Sequence, residues 1–148
     1  MSRNLFLAVL LAIAPVSAAL ACQVMMFTWS DEVKRALDEN GWGFRNYEQI
    51  CDKLNAANAA LEISGVATVL DGVSVSWASV NLRDKDVPIF TNAFAGAATE
   101  GSLDARMEVA RDMLGRSIDN AVDAMDIDEA IEALDENRNQ VRAAYAKD

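Results

Sequence analysis

Val66-Ala67-Thr68-Val69-Leu70-Asp71-Gly72-Val73-Ser74-Val75-Ser76-Trp77 is the stretch whose reading decides the fold. Two runs rich in β-branched residues meet at Asp71-Gly72, a pair that tolerates the positive φ demanded at both central positions of a type I′ turn. A two-residue turn sets Leu70 opposite Val73, Thr68 opposite Val75 and Val66 opposite Trp77. Successive side chains alternate across a strand, so Val66, Leu70, Val73, Val75 and Trp77 share one face while Ala67, Ser74 and Ser76 share the other. The apolar face is predicted to be the core face, with Trp77 as its anchor. Farther on the parity reverses, Val80 and Leu82 being apolar and Ser79 and Asn81 polar, which predicts a bulge at Ala78 or Ser79. Arg83-Asp84-Lys85-Asp86 reads as the next turn and Val87-Pro88-Ile89-Phe90-Thr91 as a third strand. Pro88 cannot donate to a ladder, which places that strand at an edge.

Helical periodicity flanks this meander on both sides. Thr28-Trp29-Ser30-Asp31 is a capping signal before Val33, Ala36 and Leu37, and Gly41 can close the turn in a left-handed conformation, giving a helix over about 31 to 39. Asn46 and Gln49 pair as a second capping signal, and Tyr47, Ile50, Leu54, Ala57 and Leu61 recur at helical spacing, giving a helix over about 47 to 62. Ala95-Gly96-Ala97-Ala98 reads as a linker, after which Ser102 caps a helix with the stripe Leu103, Met107, Ala110, Leu114, Ile118, Ala121 and Met125. A second stripe of Ile127, Ile131, Leu134, Val141 and Tyr145 lies on the opposite side of that helix, and the capping pair Asp126 and Glu129 marks a break between two helices. The fold class is therefore α+β in the order α-α-β-β-β-α-α, a three-stranded antiparallel meander packed against helices.

Residues 1–21 read as a leader. Arg3 precedes the apolar run Leu5 to Ala14, which is too short to span a bilayer, and small residues follow at Val16-Ser17-Ala18 and Ala19-Leu20-Ala21. Cleavage after Ala18 or Ala21 leaves one α+β domain over about 22–148, exported to the periplasm or secreted, with no membrane span. The only two cysteines, Cys22 and Cys51, are then expected to pair, and closing a loop of about 30 residues removes on the order of 3 to 4 kcal/mol of unfolded-state entropy. The alternative is a lipoprotein anchored through Cys22, although Ala19 stands where such signals place leucine.

The chain has 23 acidic and 13 basic residues, a formal charge of −10 that becomes one unit more negative when Arg3 leaves with the leader. Such a surface disfavours nucleic acid and anionic membranes and suits a basic protein partner. Histidine is absent, as are nucleophile elbows, Cys-x-x-Cys and glycine-rich phosphate loops, so no catalytic residue, metal ligand or cofactor is assigned. Asp119, Asp123, Asp126, Asp128, Glu129, Glu132, Asp135 and Glu136 form a block without an intervening cation, readable as a docking surface or as a solvated helix face. A Ca²⁺ loop starting at Asp126 fails, because Ile131 and Asn137 occupy the positions that need glycine and an acid. Phe27, Trp29, Trp42, Phe44 and Tyr47 cluster early, with Trp42 and Phe44 as candidate partner-binding residues and core packing as the alternative. The expected function is a small exported protein that acts by binding, such as an inhibitor, immunity factor or envelope accessory protein. The alternatives are a lipid-anchored structural envelope protein and a carboxylate-dependent hydrolase of cell-wall or glycan material.

Overall fold

A computed structural model describes residues 22–146, with the backbone alone for 92–100; the leader reading falls on residues outside this range. Ser30 fixes the start of the first helix in two ways. Its hydroxyl oxygen accepts from Val33 N–H, and its hydroxyl hydrogen is donated to the carbonyl of Gly65, so the N-cap of α1 (Asp31–Asn40) is stitched to the sheet. Gly41, at φ 68°, closes α1 by returning its N–H to Leu37. Ahead of α1 lies β1 (Met26–Phe27), which pairs in parallel with Leu61 and Glu62.

α2 runs over Tyr47–Ala56 and stops where Asn58 takes a left-handed φ of 50°. Its N-cap Asn46 makes no side-chain cap bond, so the expected pairing with Gln49 is absent. The chain then turns directly into β2 (Ala59–Leu70), which corrects the expectation of a helix reaching residue 62. Ala57, Leu61 and Gly65 fit a helical stripe, yet Ala59, Leu61, Ile63, Gly65 and Ala67 equally fit the period of two, and all five are buried. The left-handed residue at 58 decides between them, since an L-residue there interrupts an α-helix.

β2 and β3 (Val73–Asp84) pair antiparallel without interruption from Ala59 opposite Asp84 to Leu70 opposite Val73, around a turn with φ 48° at Asp71 and 77° at Gly72. The predicted register, Val66 opposite Trp77, is correct. The predicted face is inverted. Ser74, Ser76, Ala78, Val80, Leu82 and Asp84 are the buried residues of β3, while Val66, Leu70 and Trp77 are exposed. No parity change occurs along β3, so the proposed bulge at Ala78 or Ser79 does not exist. The irregularities lie instead between β3 and β4, at Ser74/Ser76 and Asn81/Arg83.

β4 (Phe90–Ser102) pairs antiparallel with β3 and begins later and ends much later than the expected third strand, absorbing the small-residue segment Ala95-Gly96-Ala97-Ala98 read as a linker. The sheet order is β1-β2-β3-β4, mixed rather than a pure antiparallel meander. Arg106, not Ser102, stands at the N-cap of α3 (Met107–Ala124), which leaves Leu103 90% exposed. Asp126 caps α4 (Ile127–Tyr145) by accepting from Asp128 and Glu129 N–H, so the break between two C-terminal helices is where the sequence places it. α3 crosses β2, β3 and β4, and one core joins it to α1, α2, α4 and the sheet through Val33, Leu54, Leu61, Ile63, Val80, Leu82, Leu114, Ile118 and Leu134.

The close approach of α3 explains the inverted face. A Cβ at Gly65 would lie 2.8 Å from Leu114 Cδ1 and 2.9 Å from the carbonyl oxygen of Trp77. Opposite the helix, Ser76 Oγ lies 3.3 Å from Ser117 Oγ, and Ser74 Oγ donates to the Asp104 carbonyl at 2.7 Å. Small side chains fit beneath a helix at this distance and these hydroxyls are hydrogen-bonded there, so burial of the serine face costs little. A row of valines, a leucine and a tryptophan does not fit, and it turns outward.

Candidate functional site

The outward face of the hairpin is the candidate site. Val66 is 40% exposed, Leu70 58% and Trp77 44%, with Val73 and Val75 half-buried beside them. Val66 and Trp77 are directly opposed across the ladder, as are Leu70 and Val73, so the five side chains form one contiguous apolar stripe running from mid-sheet to the turn. The sheet supplies rigidity, because every one of these residues lies in the uninterrupted β2–β3 ladder. Contiguous apolar surface of this kind makes the stripe the candidate for an interaction surface.

The same face changes character toward β1. Glu62 and Arg83 form an ion pair at 3.3 Å, each side chain 13% exposed, and the Arg83 guanidinium stacks 3.9 Å from the Phe27 ring centroid and 5.1 Å from that of Phe90. The pair cancels its own charge, and Ser64, Thr68, Ser79 and Asn81 are neutral. The outward surface of β2 and β3 up to Arg83 therefore carries no net charge, in contrast with the protein as a whole.

The residues singled out in the sequence are distributed differently. Phe44 is 5% exposed, packed between Trp42 at 5.5 Å and Tyr47 at 5.3 Å between ring centroids, which makes it a core residue with little surface to offer; Trp42 is half-buried beside it. Trp29, in contrast, is 91% exposed. Five of the eight acids have intramolecular roles. Asp119 accepts from Gly43 N–H at 2.9 Å, Asp123 accepts from Arg45 N–H and Nε, Asp126 caps α4, Asp128 pairs with Lys53 at 2.7 Å and Asp135 with Arg138 at 2.7 Å. Among the described residues Glu129, Glu132 and Glu136 make no ion pair. Among the described residues no group of three or more cysteine, aspartate or glutamate side chains is placed to hold a metal ion.

Asp119 is the acid whose titration the fold perturbs. Burial pushes its carboxyl above the ordinary carboxylate range; the N–H groups of Gly43 and Phe44 pull the other way, and the nearby Asp123 adds to the rise. A folded-state value above the unfolded one means that this group's contribution is fully present in acid and is lost as pH rises through the raised value. Asp119→Asn keeps an acceptor for the loop and does not ionise. The melting temperature of the variant relative to the wild type is therefore expected to be highest near neutral pH and to fall steadily as pH is lowered toward the carboxylate range. Paired thermal melts across that interval check this, and a difference independent of pH would contradict it.

Two adjoining depressions lie between the β3–β4 turn and the C-terminal part of α4, a polar one of about 400 Å³ near Asp86, Arg138 and Arg142 and a more apolar one of about 360 Å³ near Pro88, Val141 and Tyr145. Arg138 is already saturated by Asp84, Asp135 and the carbonyls of Ala57 and Asn58. The chemistry on offer there is correspondingly small.

No protein-family model, curated protein or solved structure matches this chain.

Proposed function

We propose that the protein is a small exported protein that acts by binding, and that the outward face around Trp77 is where it takes a protein partner. One observation carries the reading: the hairpin buries Ala67, Ser74, Ser76 and Ala78 while leaving Val66, Leu70 and Trp77 in contact with solvent. Exposed tryptophan with aliphatic neighbours on a rigid scaffold is the composition of an interface centre. The leader pattern at residues 1–21 and the disulfide between Cys22 and Cys51 support export to an oxidising compartment. The same disulfide occupies the Cys22 sulfur that a lipid anchor would need, which favours a released protein. Among the described residues no helix is long and apolar enough to cross a membrane.

An apolar, uncharged contact surface has a salt signature. Capture of the partner from an envelope extract is expected to persist at high ionic strength, to be lost by Leu70→Ser combined with Trp77→Ser, and to survive Glu129→Lys, Glu132→Lys and Glu136→Lys together. Undiminished capture by the Leu70/Trp77 variant would contradict the proposal, and loss of capture with salt and with the charge reversal would assign binding to α4 instead.

A further inference from the structure

The two edges of the sheet are treated differently. In a hairpin with a two-residue turn the residues flanking the turn exchange both backbone hydrogen bonds, so Leu70 and Val73 set the alternation for the whole sheet. Counting from them, Leu61, Ile63 and Gly65 of β2 direct their backbone groups away from β3, toward the open side. There the Leu61 N–H is taken by the Met25 carbonyl at 3.0 Å, and the Gly65 carbonyl accepts from Ser30 Oγ at 3.1 Å. The β2 edge is blunted by β1 and by the cap of α1.

On the other side the same alternation makes Ser76, Ala78 and Val80 bond to Thr99, Ala97 and Ala95, and leaves the backbone groups of Phe94, Gly96 and Ala98 directed outward. The carbonyl of Phe90, on the same parity, is covered by Asn137 Nδ2 of α4 at 2.6 Å. Beyond that point no strand lies alongside β4 among the described residues. α4 packs against β4 and covers its first residue, but the guards carried by the strand's own sequence are missing: from Phe90 to Ser102 there is no proline and no lysine, and Glu100 is the only ionisable residue, in a chain of formal charge −10.

We propose that β4 pairs antiparallel with β4 of a second copy of this chain, joining two sheets into one of eight strands. The occupant follows from charge and symmetry. Two copies of so acidic a protein repel each other least where they meet through a segment that carries no charge, and the segment 94–98 is such a place. An antiparallel pairing centred on Gly96 sets Gly96 against itself and Phe94 against Ala98, satisfying the outward groups of both chains and closing the assembly at two by a twofold axis. That axis runs perpendicular to the sheet, so the two Trp77 faces emerge on the same side of the dimer. The pairing does not use the Trp77 face, and it stands or falls independently of the partner proposed for that face.

Sedimentation equilibrium of the purified protein tests it. The wild type is expected to sediment as a dimer. Ala98→Pro removes an outward N–H while sparing the bonds to β3, and is expected to sediment as a monomer with unchanged circular dichroism; Leu70→Ser combined with Trp77→Ser is expected to remain dimeric. Amide exchange gives a reading without any variant: Gly96 and Ala98 N–H protected alongside Ala95 and Ala97 is the expected result. A monomeric wild type with rapid exchange at Gly96 and Ala98 and slow exchange at Ala95 and Ala97 would overturn the proposal, as would a dimer that Ala98→Pro leaves intact.

Discussion

Replacing Cys22 and Cys51 together by alanine is expected to lower the unfolding free energy by about 3 to 4 kcal/mol, the loop entropy released when a closure of this length is opened. The bond has a sequence separation of 29 and joins the segment before β1 to the buried side of α2, where Cys51 is fully enclosed. It matters more than its entropy alone suggests, because β1 contributes only two residues of pairing to β2, supplemented by Arg83 over the Phe27 ring and by Val24 N–H to the Tyr47 hydroxyl at 3.2 Å. Urea denaturation of the wild type with and without reductant should give the same loss as the double variant, and the variant itself should ignore reductant. A shift below about 1 kcal/mol, inside the range of ordinary surface changes, would contradict the role assigned to the bond.

Arg138→Met is expected to cost about 3 to 5 kcal/mol, the range for removing one partner of a buried ion pair. Arg138 and Asp84 have side chains only 11% and 10% exposed, with Nε donating to Asp84 Oδ2 at 2.7 Å. The same guanidinium donates to the carbonyls of Ala57 and Asn58, each at 3.0 Å, so one side chain holds α4 against the α2–β2 junction and the end of β3. Methionine retains the apolar stem, leaves the Asp84 charge without its countercharge and removes a donor from the carbonyls of Ala57 and Asn58, the latter keeping Lys85 N–H at 3.1 Å. Adding Asp84→Asn should recover part of the loss, because an amide oxygen still accepts from Asp86 and Val87 N–H, at 2.8 and 3.0 Å in the wild type. The pH dependence has a definite sign. Burial raises the Asp84 carboxyl, but the two N–H groups and Arg138 outweigh it and hold it below the ordinary range. A depressed folded-state value gives stability that is present above the unfolded pKa and is lost as pH falls through the folded one. Without Arg138 the folded-state value moves back toward the ordinary one, so the stability gap between the wild type and Arg138→Met should narrow as pH falls through the depressed value. A gap that stays constant down to that pH would show that Asp84 does not depend on the guanidinium.

Local chemistry in the sequence carries much of this fold. Ser30, Gly41 and Asp126 mark helix ends because a cap needs only its immediate neighbours. Asp71-Gly72 fixes the β2–β3 register because turn geometry fixes it. Cys22 and Cys51 are the only pair available. The parts that were not legible all depend on distant residues. Which face of the hairpin is buried is decided by Leu114 and Ser117, about forty residues downstream of the strands they cover, and no pattern within 66–77 reports that a helix approaches so closely there. β4 is rich in alanine and glycine, residues of low strand propensity, and exists because β3 offers it a ladder. β1 has two residues and no local signal at all. The acidic block looks unpartnered in sequence because Arg45 and Lys53 lie more than seventy residues upstream of Asp123 and Asp128. The candidate site is thus the stripe that periodicity assigns to the interior: the local pattern is sound and the tertiary context reverses its use, which is where sites of interaction are commonly found.

That reversal is tested most directly by placing one charge on each face of β3 and measuring stability. At Trp77 a lysine can lay its stem along Val66 and keep its ammonium in water, whereas at Ser76 the ammonium is forced under α3 against Ser117. Chemical denaturation is expected to show Trp77→Lys folded with a loss of about 2 kcal/mol or less, and Ser76→Lys losing more than about 4 kcal/mol or failing to fold. The opposite order, with Ser76→Lys tolerated and Trp77→Lys unfolded, would contradict the account and return the tryptophan face to the core.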